Sequence, residues 1–96
     1  MNRHNDQSIK EVLLEWMETY KHRHRFYQSN IRSIWSQKMG TTINGYTRDI
    51  RLVKDVVYIT IDSAALRQEM AYARQKIKEM LNEELGGNRV REVIIR

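Results

Sequence analysis

Apolar residues recur at helical spacing in three stretches of this chain and at strand spacing in three shorter ones. Ile9, Val12, Leu13, Trp16, Met17 and Tyr20 keep the period of a single helical face. Ser8-Ile9-Lys10-Glu11 at their start reads as a capping box, in which hydroxyl and carboxylate satisfy the free backbone amides of a helix N-terminus. The run Lys21-His22-Arg23-His24-Arg25 suits the negative end of a helix dipole, so the first helix is expected to stop there. Ile31, Ile34, Trp35 and Met39 predict a second helix from about Tyr27. Ile43 and Tyr46 keep its spacing past Gly40, which carries the helix to about Asn44 and makes Gly45 the expected left-handed cap. A glycine inside a helix costs about 1 kcal/mol relative to alanine. Gly40 is therefore expected to permit the close approach of a neighbouring backbone.

Beyond Gly45 the period changes to two. Ile50 and Leu52 alternate with Asp49, Arg51 and Val53, and Val56 to Ile61 form a β-rich run, with Lys54-Asp55 as the turn between them. That turn sets Leu52 opposite Val57 and Ile50 opposite Ile59 on the buried face, and Arg51 opposite Tyr58 and Asp49 opposite Thr60 on the other. A third helix, capped by Asp62 or Ser63 and ended by Gly86-Gly87, carries Leu66, Met70, Ala73, Ile77, Met80 and Leu81 on one face. Val90 to Ile95 closes the chain as a strand, and the long helical crossover before it favours parallel pairing. The predicted order is α-α-β-β-α-β: an α+β domain with a three-stranded mixed sheet and its helices packed on one face.

With 96 residues there is room for one core only. No apolar run approaches the roughly 20 residues of a membrane helix, and Met1 to Asp6 does not read as a signal peptide. A cytoplasmic protein with no membrane partner is expected. Cysteine is absent, so thiolate metal sites and disulfides are excluded. Charge changes the picture most. Residues 21–54 hold Lys21, Arg23, Arg25, Arg32, Lys38, Arg48, Arg51 and Lys54 against Asp49 alone, a local charge of +7 in a chain of net +5. Gathered on one face, these eight cations favour a polyanion, because neutralising phosphates releases counterions.

Catalysis finds no support. The serines sit in no nucleophile elbow, the glycines form no phosphate loop, and Glu79, Glu83 and Glu84 read as an exposed acidic patch. Neither a cofactor nor a small-molecule substrate is expected. His22 and His24 point apart on a helix and stand among cations, which reads as surface donors and not as metal ligands. Trp16, Trp35, Met70 and Met80 fall in apolar stripes and read as core. Tyr58, beside Arg51 on the outer hairpin face, and Tyr72, off the stripe of its helix, are the exposed aromatics on which unpaired bases stack. No helix carries the row of basic and amide side chains that major-groove readout needs.

Ser8-Ile9-Lys10-Glu11-Val12-Leu13 and Trp35-Ser36-Gln37-Lys38-Met39-Gly40 resemble the DciA family, in which a helix ends Trp-x-x-x-aliphatic-Gly before a threonine-containing first strand. Thr47-Arg48-Asp49-Ile50 and Val56-Val57-Tyr58-Ile59 match its hairpin, and Asp62-Ser63-Ala64-Ala65-Leu66-Arg67-Gln68-Glu69-Met70 resembles its Ser-Ser-x-x-Leu-x-x-Glu-Leu helix opening. Leu81-Asn82-Glu83, Leu85-Gly86 and Val93-Ile94-Ile95-Arg96 complete a likeness over residues 8–96, carried by the order and spacing of its motifs. The resemblance implies a single KH-like domain over residues 8–96, after a flexible N-terminus at residues 1–7. It also implies an operator or loader of the bacterial replicative helicase DnaB that binds single-stranded DNA.

Two departures limit what is carried over. There is no Gly-x-x-Gly loop, so a KH grip on four nucleotides is not expected, and the sequence closes on its third strand where family members often add a flexible tail. The family's tryptophan and glycine fall on Trp35 and Gly40, fold-critical first and partner-contacting second. The expected function is single-stranded DNA binding and helicase contact in DNA replication, with the eight cations and Tyr58 as the nucleic-acid surface. Alternatives are a KH-like RNA-binding protein of translation or RNA maturation, or a pure protein–protein adaptor.

Overall fold

A computed structural model describes the backbone of residues 2–96 and the side chains of residues 8–96. The flexible N-terminus expected at residues 1–7 lies outside the fully described residues. The elements are α1 (Asn2–Tyr46), β1 (Thr47–Val53), β2 (Val56–Ile61), α2 (Ala64–Tyr72), α3 (Arg74–Leu85) and β3 (Glu92–Ile95).

The alternating residues of the hairpin pair as expected. β1 and β2 run antiparallel with Leu52 opposite Val57, Ile50 opposite Ile59, Arg51 opposite Tyr58 and Asp49 opposite Thr60. β3 joins β2 in parallel, setting Val93 beside Val57 and Ile95 beside Ile59. Because side chains alternate along a strand, Ile50, Leu52, Val57, Ile59, Ile61 and Val93 all meet the helices on one face and are buried. Ile31 and Trp35 of α1, Met70 of α2, and Ile77 and Leu81 of α3 complete that core. Arg51, Tyr58 and Ile94 lie on the opposite, uncovered face. Gln28 of α1 donates to the Ile50 carbonyl (2.8 Å) and accepts from the Leu52 amide (2.6 Å), which closes off the free edge of β1.

The fold class therefore stands, but several helix boundaries do not. α1 runs through Ser8 and on through Lys21–Arg25 without a break, so Ser8 is no cap and the basic run is no terminus. Cations favour a helix end but do not create one. Between Asn2 and Met39 there is neither glycine nor proline, and the apolar face simply continues from Tyr20 through His24 and Tyr27 to Ile31.

The break falls instead at Gly40 (φ 82°, ψ 176°), a conformation that is essentially restricted to glycine. A Cβ there would meet nothing within 4 Å. The dihedrals, not a close approach, require glycine. Gly45 is not left-handed and caps nothing. After the Gly40 bend, a hydrogen-bond relay ties α1 to the sheet. Trp35 Nε1 donates to Thr47 Oγ1 (2.9 Å), and that hydroxyl donates to the Ile43 carbonyl (2.8 Å).

The predicted third helix is two, α2 and α3, parted at Ala73 (φ −95°, ψ 9°). Alanine is the strongest helix former, and nothing in the local sequence marks the interruption. Ser63, not Asp62, supplies the cap, accepting from the Leu66 amide. Gly86 (φ 80°) ends α3 as expected, and Gly87 and Gly86 return their amides to the Asn82 and Glu83 carbonyls, a Schellman closure.

The molecule extends over 62 × 20 × 20 Å, with a radius of gyration of 17.6 Å, against about 13 Å for a compact domain of this length. The excess length is the first half of α1. Trp35 is fully buried, whereas Trp16, also expected in the core, is 62% exposed.

Candidate nucleic-acid interface

Three elements converge at the hairpin tip. α1 presents Arg23, His24 and Tyr27 there, the β1–β2 turn presents Lys54, and the loop after α3 presents Arg89. They rim a groove of about 190 Å³ floored by Ile31, Leu52, Leu85 and Val90, and no carboxylate lines it. That volume is below the 300–1,000 Å³ that encloses a small organic ligand. A cleft this shallow and cationic suits a chain that passes across it.

Local structure sets the positions of Lys54 and Arg89. Lys54 is left-handed (φ 58°), a conformation that costs a non-glycine residue roughly 1 kcal/mol and swings the chain round the turn. Asn82 organises the loop after α3: its side chain accepts from the Arg89 amide (2.9 Å) and the Val90 amide (2.7 Å) and donates to the Val90 carbonyl (2.9 Å). Arg89 is thereby held with its guanidinium 5.3 Å from the centroid of the Tyr27 ring. His24 sits between the groove and two neighbouring hollows. One is lined by Lys21, Arg25 and the carboxylate Glu18, the other by Arg32, Arg51 and Lys54. The Tyr20 ring stacks on His24 at 6.2 Å and on Trp16 at 5.6 Å.

The eight cations of residues 21–54 do not form one even face. Arg48 pairs with Asp62 (2.7 Å) and Lys38 with Glu84 (3.4 Å), both carboxylates from the acidic flank. Arg32 (2.9 Å) and Arg51 (3.8 Å) share Asp49. All four pairs are exposed enough for water to weaken them. Lys21, Arg23, Arg25 and Lys54 have no carboxylate partner among the described residues. Arg48, at the start of β1, lies about 20 Å along the strand from Lys54, and Lys38 lies about 25 Å along α1 from Lys21. The structure thus gathers six of the eight and leaves Lys38 and Arg48 apart.

Tyr58 lies on the uncovered sheet face with Arg96 4.7 Å from its ring centroid and Arg51 beside it. Tyr72, at the end of α2, is 80% exposed and lines none of these hollows, which leaves it no role in the fold. Trp35 is core, and Gly40 serves the bend. Sequence reasoning missed Arg89 and Tyr27 as site residues, because α3 and the Asn82 loop bring Arg89 back across more than sixty positions. No local pattern signals that return. Among the described residues, no group of three or more His, Cys, Asp or Glu is arranged to hold a metal ion. Nor is any helix long and apolar enough to cross a membrane.

Compared with known proteins, the chain matches the family model described as "Dna[CI] antecedent, DciA" over residues 8–95. No curated protein and no solved structure gives a detectable match.

Proposed function

The chain belongs to the DciA family, and from that premise we propose that it is a non-enzymatic, KH-like module of the bacterial cytoplasm that holds single-stranded DNA. Membership itself supports a role in DnaB helicase loading in replication and implies interaction with that helicase. The observation that carries the DNA reading is the convergence of Arg23, His24, Lys54 and Arg89 from three elements on one groove without a carboxylate. Backbone phosphates lie along the rim in this reading, and Lys21, Arg25, Arg32 and Arg51 extend the path to either side. Tyr58, with Arg51 and Arg96 about it, offers a base a stacking surface on the sheet. Lys38 and Arg48 contribute long-range charge only, and Tyr72 is left for protein contact.

Fluorescence anisotropy with a labelled oligo(dT) tests this. The triple variant Arg23→Glu/Lys54→Glu/Arg89→Glu weakens binding on the order of 100-fold at low salt and flattens the log K against log salt slope by about 2. Arg48→Glu changes affinity less than about threefold, since Asp62 already neutralises that guanidinium. Equal affinity of wild type and triple variant removes the groove from the proposal. Competition by an RNA of matched sequence separates the readings further: a marked RNA preference favours an RNA-binding protein, and no binding to either favours a pure adaptor.

A further inference from the structure

Among the described residues, His24 is the one that lines all three of the basic hollows at the hairpin tip. The Tyr20 ring stacks against it, and a stack covers a ring face, not the edge that carries the nitrogens. No hydrogen bond to another described residue engages either nitrogen. From α1, Lys21, Arg23, Arg25 and Arg32 stand about the imidazole, together with the phenols of Tyr20 and Tyr27. β1 adds Arg51, the hairpin turn Lys54 and the loop after α3 Arg89. Arg32 and Arg51 already share Asp49. Glu18 is the one carboxylate lining these hollows; it stands on the side of Lys21 and Arg25 and makes no ion pair with the imidazole.

We propose that His24 is a proton-linked phosphate ligand: it meets a backbone phosphate as the imidazolium, so the protein takes up a proton as it binds single-stranded DNA. This rests on the groove being the DNA site. A phosphate seated beside the ring supplies negative charge and an acceptor for its N–H. Both favour the protonated ring more than the free groove does, where the neighbours are chiefly cations. The sign of the pH dependence follows from linkage. Proton and DNA each strengthen the hold on the other, so affinity rises as pH falls through the range in which imidazole gains charge, from about pH 8 to about pH 5. A single proton sets a ceiling of about tenfold per pH unit. Lys54 and Arg89 supply the share of affinity that stays constant over that range, and His24 supplies the share that varies. His22, two positions away, points elsewhere on the helix and lines none of the three hollows, which makes it the internal control.

Anisotropy of labelled oligo(dT), read on the full chain at about pH 8 and about pH 6 and at one ionic strength, tests the assignment. The phosphodiesters of oligo(dT) keep their charge across that range, so a change in affinity belongs to the protein. Wild type is expected to bind about fivefold or more tightly at the lower pH. His24→Gln loses most of that gain, and His22→Gln keeps it. His24→Lys, whose charge is fixed, shows little change between the two conditions. Calorimetry in two buffers of unlike ionisation enthalpy counts the protons directly: wild type takes up a fraction of one proton on binding, and His24→Gln takes up none. An equal gain in wild type and His24→Gln, or no gain in wild type, overturns the proposal while the groove stands as the DNA site. Wild type that binds oligo(dT) at neither pH removes that site and the proposal with it.

Discussion

The two halves of α1 carry the same amphipathic period and meet opposite fates. From Tyr27 to Met39 the apolar face lands on a sheet, and Ile31 and Trp35 lose all contact with water. From Ile9 to Tyr20 an equally regular face lies open. The difference is topological. Gly40 and the Trp35–Thr47–Ile43 relay turn the chain back so that β1 runs beside the second half of α1. The hairpin ends at Lys54, which shares a groove with Tyr20, Arg23 and Tyr27, and among the described residues the apolar face before Tyr20 is left exposed. An amphipathic helix announces that one face will be covered. It does not name the cover.

The sharpest test of this contrast is a matched pair of substitutions. Trp35→Ala is expected to cost about 3–5 kcal/mol in urea unfolding, from lost burial and the cavity left behind. Trp16→Ala, at a side chain that is 62% exposed, is expected to cost less than about 0.5 kcal/mol. Similar losses at both positions collapse the distinction between a covered and an uncovered half. Next in size is the loop that delivers Arg89. Asn82→Ala removes three hydrogen bonds to Arg89 and Val90, with a loss of about 2 kcal/mol in thermal unfolding and a several-fold weaker hold on oligo(dT).

The two glycines at the end of α1 separate bend from helix. Gly40→Ala forces a side chain into a glycine-only conformation and costs about 1–3 kcal/mol. Gly45→Ala, in ordinary helical backbone with open space around it, is expected to stabilise by about 0.5–1 kcal/mol. A loss at Gly45 and none at Gly40 would move the bend. The smallest effect lies at the turn. Lys54→Asn relieves left-handed strain by a few tenths of a kcal/mol while removing one cation from the groove. Stability rises as oligonucleotide affinity falls by about threefold or less.

Much of the body was legible in advance because its signals are local. Two alternating runs and a two-residue turn specify the hairpin register without reference to anything else, and Gly86 marks the end of α3 through the same left-handed geometry wherever it occurs. Helix ends were less legible. The basic run at Lys21–Arg25 resembles a terminus because it satisfies an electrostatic preference, yet a preference worth less than about 1 kcal/mol does not stop a helix that has no breaker. Gly40 does not read as a stop, because Ile43 and Tyr46 preserve the spacing beyond it. That spacing is real, but helix continues on both sides of a bend as readily as through a straight rod. The interruption at Ala73 left no trace in residue type at all.

The candidate site was half visible for the same reason. Charge counted along residues 21–54 picked out Arg23 and Lys54, which the fold brings onto one groove, but it could not see that Asp62 and Glu84 fold back on Arg48 and Lys38, or that Arg89 arrives from the far end of the chain. By itself, the order of residues determined which faces are apolar, how the strands register and where excess positive charge lies, since each depends on neighbours a few positions apart. Tertiary structure alone decided which cations stay unpaired, which tryptophan is buried and which helical face is left bare. Those outcomes depend on what the folded chain can reach, and reach is set by the bend at Gly40 and the short sheet that follows it.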